Sequence, residues 1–255
     1  GTAAFTNQPT ISTAVTVKNI LFGSTQAVTL SLGSGGELTV GDIHGQWASN
    51  MGHTLDVGAQ TLTVNGDLNL SDGTNGHAID LSIGSGTVTV SQLLEESGDA
   101  DITFTGAGTL NVGGHFHYMG GTFTPGSGTV TYNGSTMQHV GIVPYNNLTI
   151  NNNTAAVVIG DTLAVNGDLL VSSSNLVNNA LLQVGDDVTI ASGAEFQNWG
   201  KVKVAGDWTN SGTYSDFGMS TTFNGTGAQS SGASAFGNLI IDKASGTATI
   251  IGDLT

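Results

Sequence analysis

The chain has no cysteine and no arginine, and only 3 of its 255 residues are proline. Charged residues make up 9% of it, against about a quarter in an average domain. Each scarcity removes a class of function. Without cysteine there is no disulfide, no thiol nucleophile and no Cys-ligated zinc. The only bases are Lys18, Lys201, Lys203 and Lys243, set against 19 acids for a formal charge of −15. Phosphate backbones and anionic bilayers are held by clustered cations, so nucleic acid and acidic membrane surfaces are excluded as partners. No apolar run approaches the roughly 18 residues of a spanning helix, so membrane insertion is not expected. Capped helices are missing too; the most helix-like piece, Ser91 to Glu96, amounts to one turn.

What is present is repetition. Residues 62–68 read LTVNGDL and residues 163–169 read LAVNGDL. The same phrase recurs in altered form as LNVGGHF at 110–116, LQVGDDV at 182–188 and VKVAGDW at 202–208. Shorter copies read LTVGDI at 38–43 and VTVSQL at 88–93. Starts at 38, 62, 88, 110 and 130 are 24, 26, 22 and 20 apart, and those at 163, 182 and 202 are 19 and 20 apart. A longer repeat overlies this one: 129–148 aligns without gaps on 220–239, an offset of 91. Tyr132 then falls on Phe223, Gln138 on Gln229 and Tyr145 on Phe236, and the related segments span 112–163 and 204–255.

A period near 20 residues indicates a solenoid. Alternating apolar and polar residues rich in Val, Ile and Thr read as short strands, with Gly, Asn and Asp as bends. The sequence therefore predicts an all-β fold: a right-handed parallel β-helix (β-solenoid) of about ten coils, one domain over 1–255, with an irregular N-terminal strand or cap over 1–25. At ~4.8 Å per coil such a rod would be ~48 Å long. An antiparallel sandwich array is the runner-up, disfavoured by so short a repeat. In LTVNGDL, Leu62, Val64 and Leu68 should point inward, with Asn65, Gly66 and Asp67 turning the corner.

The segments GDWTNSGTYSDFGMSTTFNG (206–225) and GHFHYMGGTFTPGSGTVTYNG (114–134) resemble a repeat of large secreted bacterial surface proteins. These are adhesin-like chains of the filamentous-haemagglutinin and autotransporter β-helix type. The resemblance covers about 100–255 well and 1–99 loosely, and it implies a rod displayed at the cell surface or outside the cell. It supplies no catalytic residue. The second unit carries Phe217-Gly218 where the first has Pro125-Gly126.

Four groups of residues are candidates for chemistry. Asp168, Asp187 and Asp207 would stack on successive coils, where repulsion must be relieved by turn amides, solvent or calcium. Asp99 and Asp101 are a lesser pair of the same kind. His115 and His117 share one strand face, a two-ligand arrangement without an evident third. Thr61/Thr63, Thr87/Thr89, Thr109/Asn111 and Thr129/Thr131 form an outward stripe, which reads either as β-propensity or as an ice-binding face. Trp47 and Trp199 lie near loops and could stack on a neutral glycan, whereas Trp208 should be core.

An enzyme is not expected. An Arg-free acidic rod repels polyuronates, and Asp186/Asp187 and Glu95/Glu96 are adjacent, so each pair points to opposite faces. No cofactor is expected beyond calcium. The leading expectation is a structural or adhesive module that self-associates through its solenoid ends or adjoins further segments of a longer chain. A neutral-glycan module or glycan-active β-helix is the alternative. The opening at Gly1-Thr2 and the stop at Thr255 within a repeat suggest an excised piece or a head-to-tail subunit.

Overall fold

The computed structural model describes residues 7–23, 25–92 and 94–251. Expectations resting on residues 1–6, Ser24, Leu93 and 252–255 lie outside this set. Parallel strands stack as a β-solenoid of about 11 turns in all, with no helix among the described residues. The chain divides into two compact units, 1–130 and 131–255.

In the first unit each coil brings three apolar runs inward. Leu38, Leu62, Val88 and Leu110 are in register on successive coils, as are Val40, Val64, Val90 and Val112. Past the corner, Ile43 pairs Leu68, Leu68 pairs Leu94 and Leu94 pairs Phe116. A separate six-stranded sheet stacks Leu30, Leu55, Leu81, Ile102 and Phe123. Most of these side chains are fully buried, each contributing about 1.5–3 kcal/mol. A lone coil has no such neighbours, which is why the phrase must recur.

Two readings change here. The piece 91–96 is not a helical turn, because Leu94–Glu96 is a strand. Burial of Leu94 between Leu68 and Phe116 outweighs the local helical pattern. In the copy beginning at Val88 the inward residue past the corner is Leu94, so that copy is full length.

The second unit follows the same plan. Leu163, Leu182, Val202 and Thr221 form one column and Val165, Val184, Val204 and Phe223 the next. Leu148, Leu169, Val188 and Trp208 form a third. Trp208 is 1% exposed and meets Tyr214 and Phe236 edge-on, with ring centroids 4.8 and 5.6 Å apart.

The longer repeat is visible as matched chemistry. Buried Gln138 accepts the Gly134 N–H through Oε1 at 2.9 Å, and Gln229 accepts the Gly225 N–H at 2.9 Å. The second donor to that oxygen is Asn152 in the first arc and Lys243 in the second, 91 residues on. Tyr132 and Tyr145 join hydroxyls at 2.9 Å, while Phe223 and Phe236 pack edge-on at 6.0 Å. The Pro125-to-Phe217 change goes with a different turn. Gly126 and Gly218 both hold positive φ, 48° and 86°. The first turn is closed by the Gly128 N–H on the Pro125 carbonyl at 2.9 Å, whereas the second, one residue shorter, is held by the Met219 N–H on Asp216 Oδ1 at 3.2 Å.

Candidate functional site

The corner acids form a hydrogen-bonded ladder between coils. The Asp168 N–H donates to Asn147 Oδ1 at 3.0 Å, Asp187 N–H to Asp168 Oδ1 at 3.1 Å, and Asp207 N–H to Asp187 Oδ1 at 2.7 Å. Ser230 N–H closes the run on Asp207 Oδ1 at 2.7 Å. A shorter ladder in the first unit carries the Asp67 N–H to Asp42 Oδ1 at 3.0 Å. Each carboxylate thus satisfies an amide that the bend withdraws from the sheet. The glycine of the phrase serves this contact, not a positive φ. A Cβ on Gly66 would lie 2.0 Å from Asp42 Oδ1, and one on Gly206 would lie 2.3 Å from Asp187 Oδ1.

Carboxylate oxygens of Asp168, Asp186 and Asp187 lie within 4.8 Å of one another, all exposed. Asp186, rather than the expected Asp207, completes this group. Desolvation, followed by the charges of Asp187, Asp168 and Asp207, raises the Asp186 carboxyl above its ordinary value. Asp99 and Asp101 also cap amides, those of Gly76 at 2.6 Å and Thr122 at 2.7 Å.

Trp47 is half-buried beside a cleft of about 410 Å³ in the first unit. Its indole stacks on His77 at 5.3 Å and 17°, and its Nε1–H donates to the Met51 carbonyl at 3.1 Å. Gly45 leaves the space its ring fills. His77 Nδ1 meets the Asp72 carboxylate at 3.0 and 3.1 Å, and Asp72 Oδ1 also accepts the Thr74 N–H at 2.9 Å. The hydrogen bond from His77 is the main influence holding the Asp72 carboxyl below its usual value. His44, Asn69, Ser71, Glu95 and Ser97 complete the lining.

Sequence reasoning singled out Trp47, weighed Glu95 only as an adjacent acid pair with Glu96, and missed His44, Asn69, Ser71, Asp72 and Ser97. The signal was available: His44, Asn69 and Glu95 each directly follow the last inward residue of a repeat, Ile43, Leu68 and Leu94. The matching positions in the second unit are Leu170, Thr189 and Thr209.

Trp199 is 48% exposed and stacks on Phe217 of the next coil, 44% exposed, at 3.7 Å and 7°. His115 and His117 are both exposed, with ring centroids 5.9 Å apart. The threonine stripe is longer than the sequence indicated, since Thr16, Thr39, Thr63, Thr89 and Asn111 share one column. Beside it run Glu37, Thr61, Thr87 and Thr109. Coils of unequal length stay in register here because their extra residues are accommodated outside these strands. No family model, curated protein or solved structure matches this chain.

Proposed function

We propose that the chain is a structural, adhesive module of an extracellular or cell-surface protein, joined to another solenoid coil through its last strands. The observation that carries this reading is a pair of equivalent residues. Ile150 and Ile241 occupy the same place in the long repeat, yet Ile150 is fully buried and Ile241 is 49% exposed. Ile150 is covered because Val171 of the following coil pairs with it. Strand Asn238–Ile241 pairs with Ser220–Phe223 and offers its other edge unpaired among the described residues. Such an edge recruits a strand. The partner coil comes from a second copy, or from further sequence of the same protein.

A second copy would add head to tail, a heterologous contact that grows into filaments. Near its N-terminus the strand Ala14–Phe22 presents Val17, at the open end of the Val40 column, at 37% exposure. The polar corner groups support a mechanical role, since they are spent on coil-to-coil hydrogen bonds. Light scattering and negative-stain microscopy across a concentration series test this reading. Concentration-dependent rods that disappear in Ile241→Lys are expected; monomers at every concentration would remove the second copy as partner. Calcium on the outward oxygens of Asp168, Asp186 and Asp187 is a separate proposal. Fibres or a Tm that fall on adding chelator would support it.

A further inference from the structure

We infer that the Trp47 cleft of the first unit is a binding site for a neutral, hydroxyl-rich sugar. This stands independently of the end-to-end association above, because it uses neither the last strands nor Ile241.

The argument starts from what the wall offers. At about 410 Å³ the cleft has the size of a small-ligand site. One side is the fixed indole of Trp47, held by His77 and the Met51 carbonyl. An immobile aromatic ring of this kind suits the C–H face of a pyranose. The polar side is dominated by acceptors. Asp72 is ionised and already oriented by His77 and Thr74. Glu95 stands beside Asn69 in register on the next coil. Asn69 Oδ1 is buried and has no hydrogen-bond partner, and an unsatisfied buried acceptor of this kind costs about 1–3 kcal/mol. The Ser71 hydroxyl is committed to the His77 carbonyl at 2.5 Å, and the Ser97 hydroxyl lies 3.4 Å from the Ser71 carbonyl.

A wall of acceptors calls for a ligand that brings donors. Sugar hydroxyls supply several at once, together with an apolar ring face for Trp47. No lysine lines the cleft, so a uronate or a sulfated sugar would meet Asp72 and Glu95 without a compensating cation. The imidazole, amide and carboxylate of His44, Asn69 and Glu95 are also specific to this unit, because the other unit places one aliphatic and two short hydroxyl side chains, Leu170, Thr189 and Thr209, at those positions. Backbone pairing alone does not require such residues.

The test is a titration of the full chain, followed by intrinsic tryptophan fluorescence and calorimetry. The probes are neutral hexose and N-acetylhexosamine oligosaccharides, with an oligouronate and calcium chloride alongside. Saturable binding of a neutral oligosaccharide is expected, with the fluorescence change retained in Trp199→Phe. Affinity should fall at least about tenfold in Asn69→Ala and in Glu95→Gln, two variants whose circular dichroism should match the parent. The inference is overturned by a response to calcium or oligouronate alone, or by no response to any neutral sugar. Binding that is lost in Trp199→Phe would also overturn it, by placing the site at the Trp199–Phe217 stack. Binding unchanged in both Asn69→Ala and Glu95→Gln would do the same.

Discussion

Gly66 and Asp42 show how a two-residue motif can be fixed by a neighbour about one coil away. A methyl group on Gly66 would collide with the Asp42 carboxylate and crowd the Gly41 carbonyl. Gly66→Ala should therefore cost about 1–3 kcal/mol in urea unfolding. Adding Asp42→Ala should cost less than the sum of the two single changes, because both disrupt one contact; strict additivity would refute the ladder as the reason for the glycine. His53 gives a second prediction at this scale. It is 2% exposed against Phe22, and its Nδ1 accepts the Val28 N–H at 3.3 Å. Desolvation holds its pKa below the ordinary imidazole value, against an opposing effect of the Gly23 backbone. Between the folded and unfolded values the unfolded chain binds the extra proton. The His53 contribution is thus complete above about pH 6.5 and declines as the pH falls through that value. The stability difference between wild type and His53→Leu should shift by up to about 1.4 kcal/mol per pH unit between pH 7 and 5. A pH-independent difference would show that His53 titrates alike in both states.

Among the elements, the two arcs of the long repeat are a natural double-mutant experiment. Tyr132 accepts the Gly141 N–H at 2.8 Å and Tyr145 donates to the Gly141 carbonyl at 2.8 Å, all within the core. Burial pushes the Tyr132 hydroxyl up to about 12 and that of Tyr145 well above the usual tyrosine value, so both stay neutral. In the other arc the equivalent Gly232 N–H finds the Trp208 carbonyl at 2.6 Å instead, and two phenylalanines suffice. Tyr132→Phe should cost about 1–3 kcal/mol by orphaning the Gly141 amide; a change below 0.5 kcal/mol by calorimetry would mean that the amide finds another acceptor. The alignment of Tyr132 on Phe223 was legible in sequence because both fill one inward slot. The hydroxyl network was not, since it depends on where Gly141 sits in three dimensions. The same division holds for the site. Leu62, Val64 and Leu68 announced themselves by period, as did the stacking of Asp168, Asp187 and Asp207. Asn69 and Glu95 were placed by the same period, each following the last inward residue of its copy, but closing the copy at Val88 on residue 93 hid that match until the register set Leu94 on Leu68. Leu94 shows the opposite limit, where a short helical pattern yields to the column it must fill.

For the molecule as a whole, coil-to-coil register matters more than chain length. Removing residues 182–201 deletes one period, since Leu182 pairs with Val202. The remaining chain can restack Leu163 on Val202 and Leu169 on Trp208, so this variant should fold with a modestly lower Tm. Deleting Lys203 alone should be worse, because it turns Val204, the last residue of the strand Lys201–Val204, out of the column between Val184 and Phe223. If the single deletion melts higher than the full-coil deletion, register is not the controlling variable. The ladders also define a mechanical step. Successive amides and their acceptors are separated by 19 residues from Asp168 to Asp187 and by 20 from Asp187 to Asp207. Under tension each coil holds its neighbour through many short bonds, and its release frees about twenty residues, or ~70 Å of extended chain. Stretched between a cell and a surface, the protein would lengthen in near-equal increments. If the proposed structural role holds, each slipped coil would rewind onto the one before it when the load falls, and the repeat would absorb shock as well as set a distance.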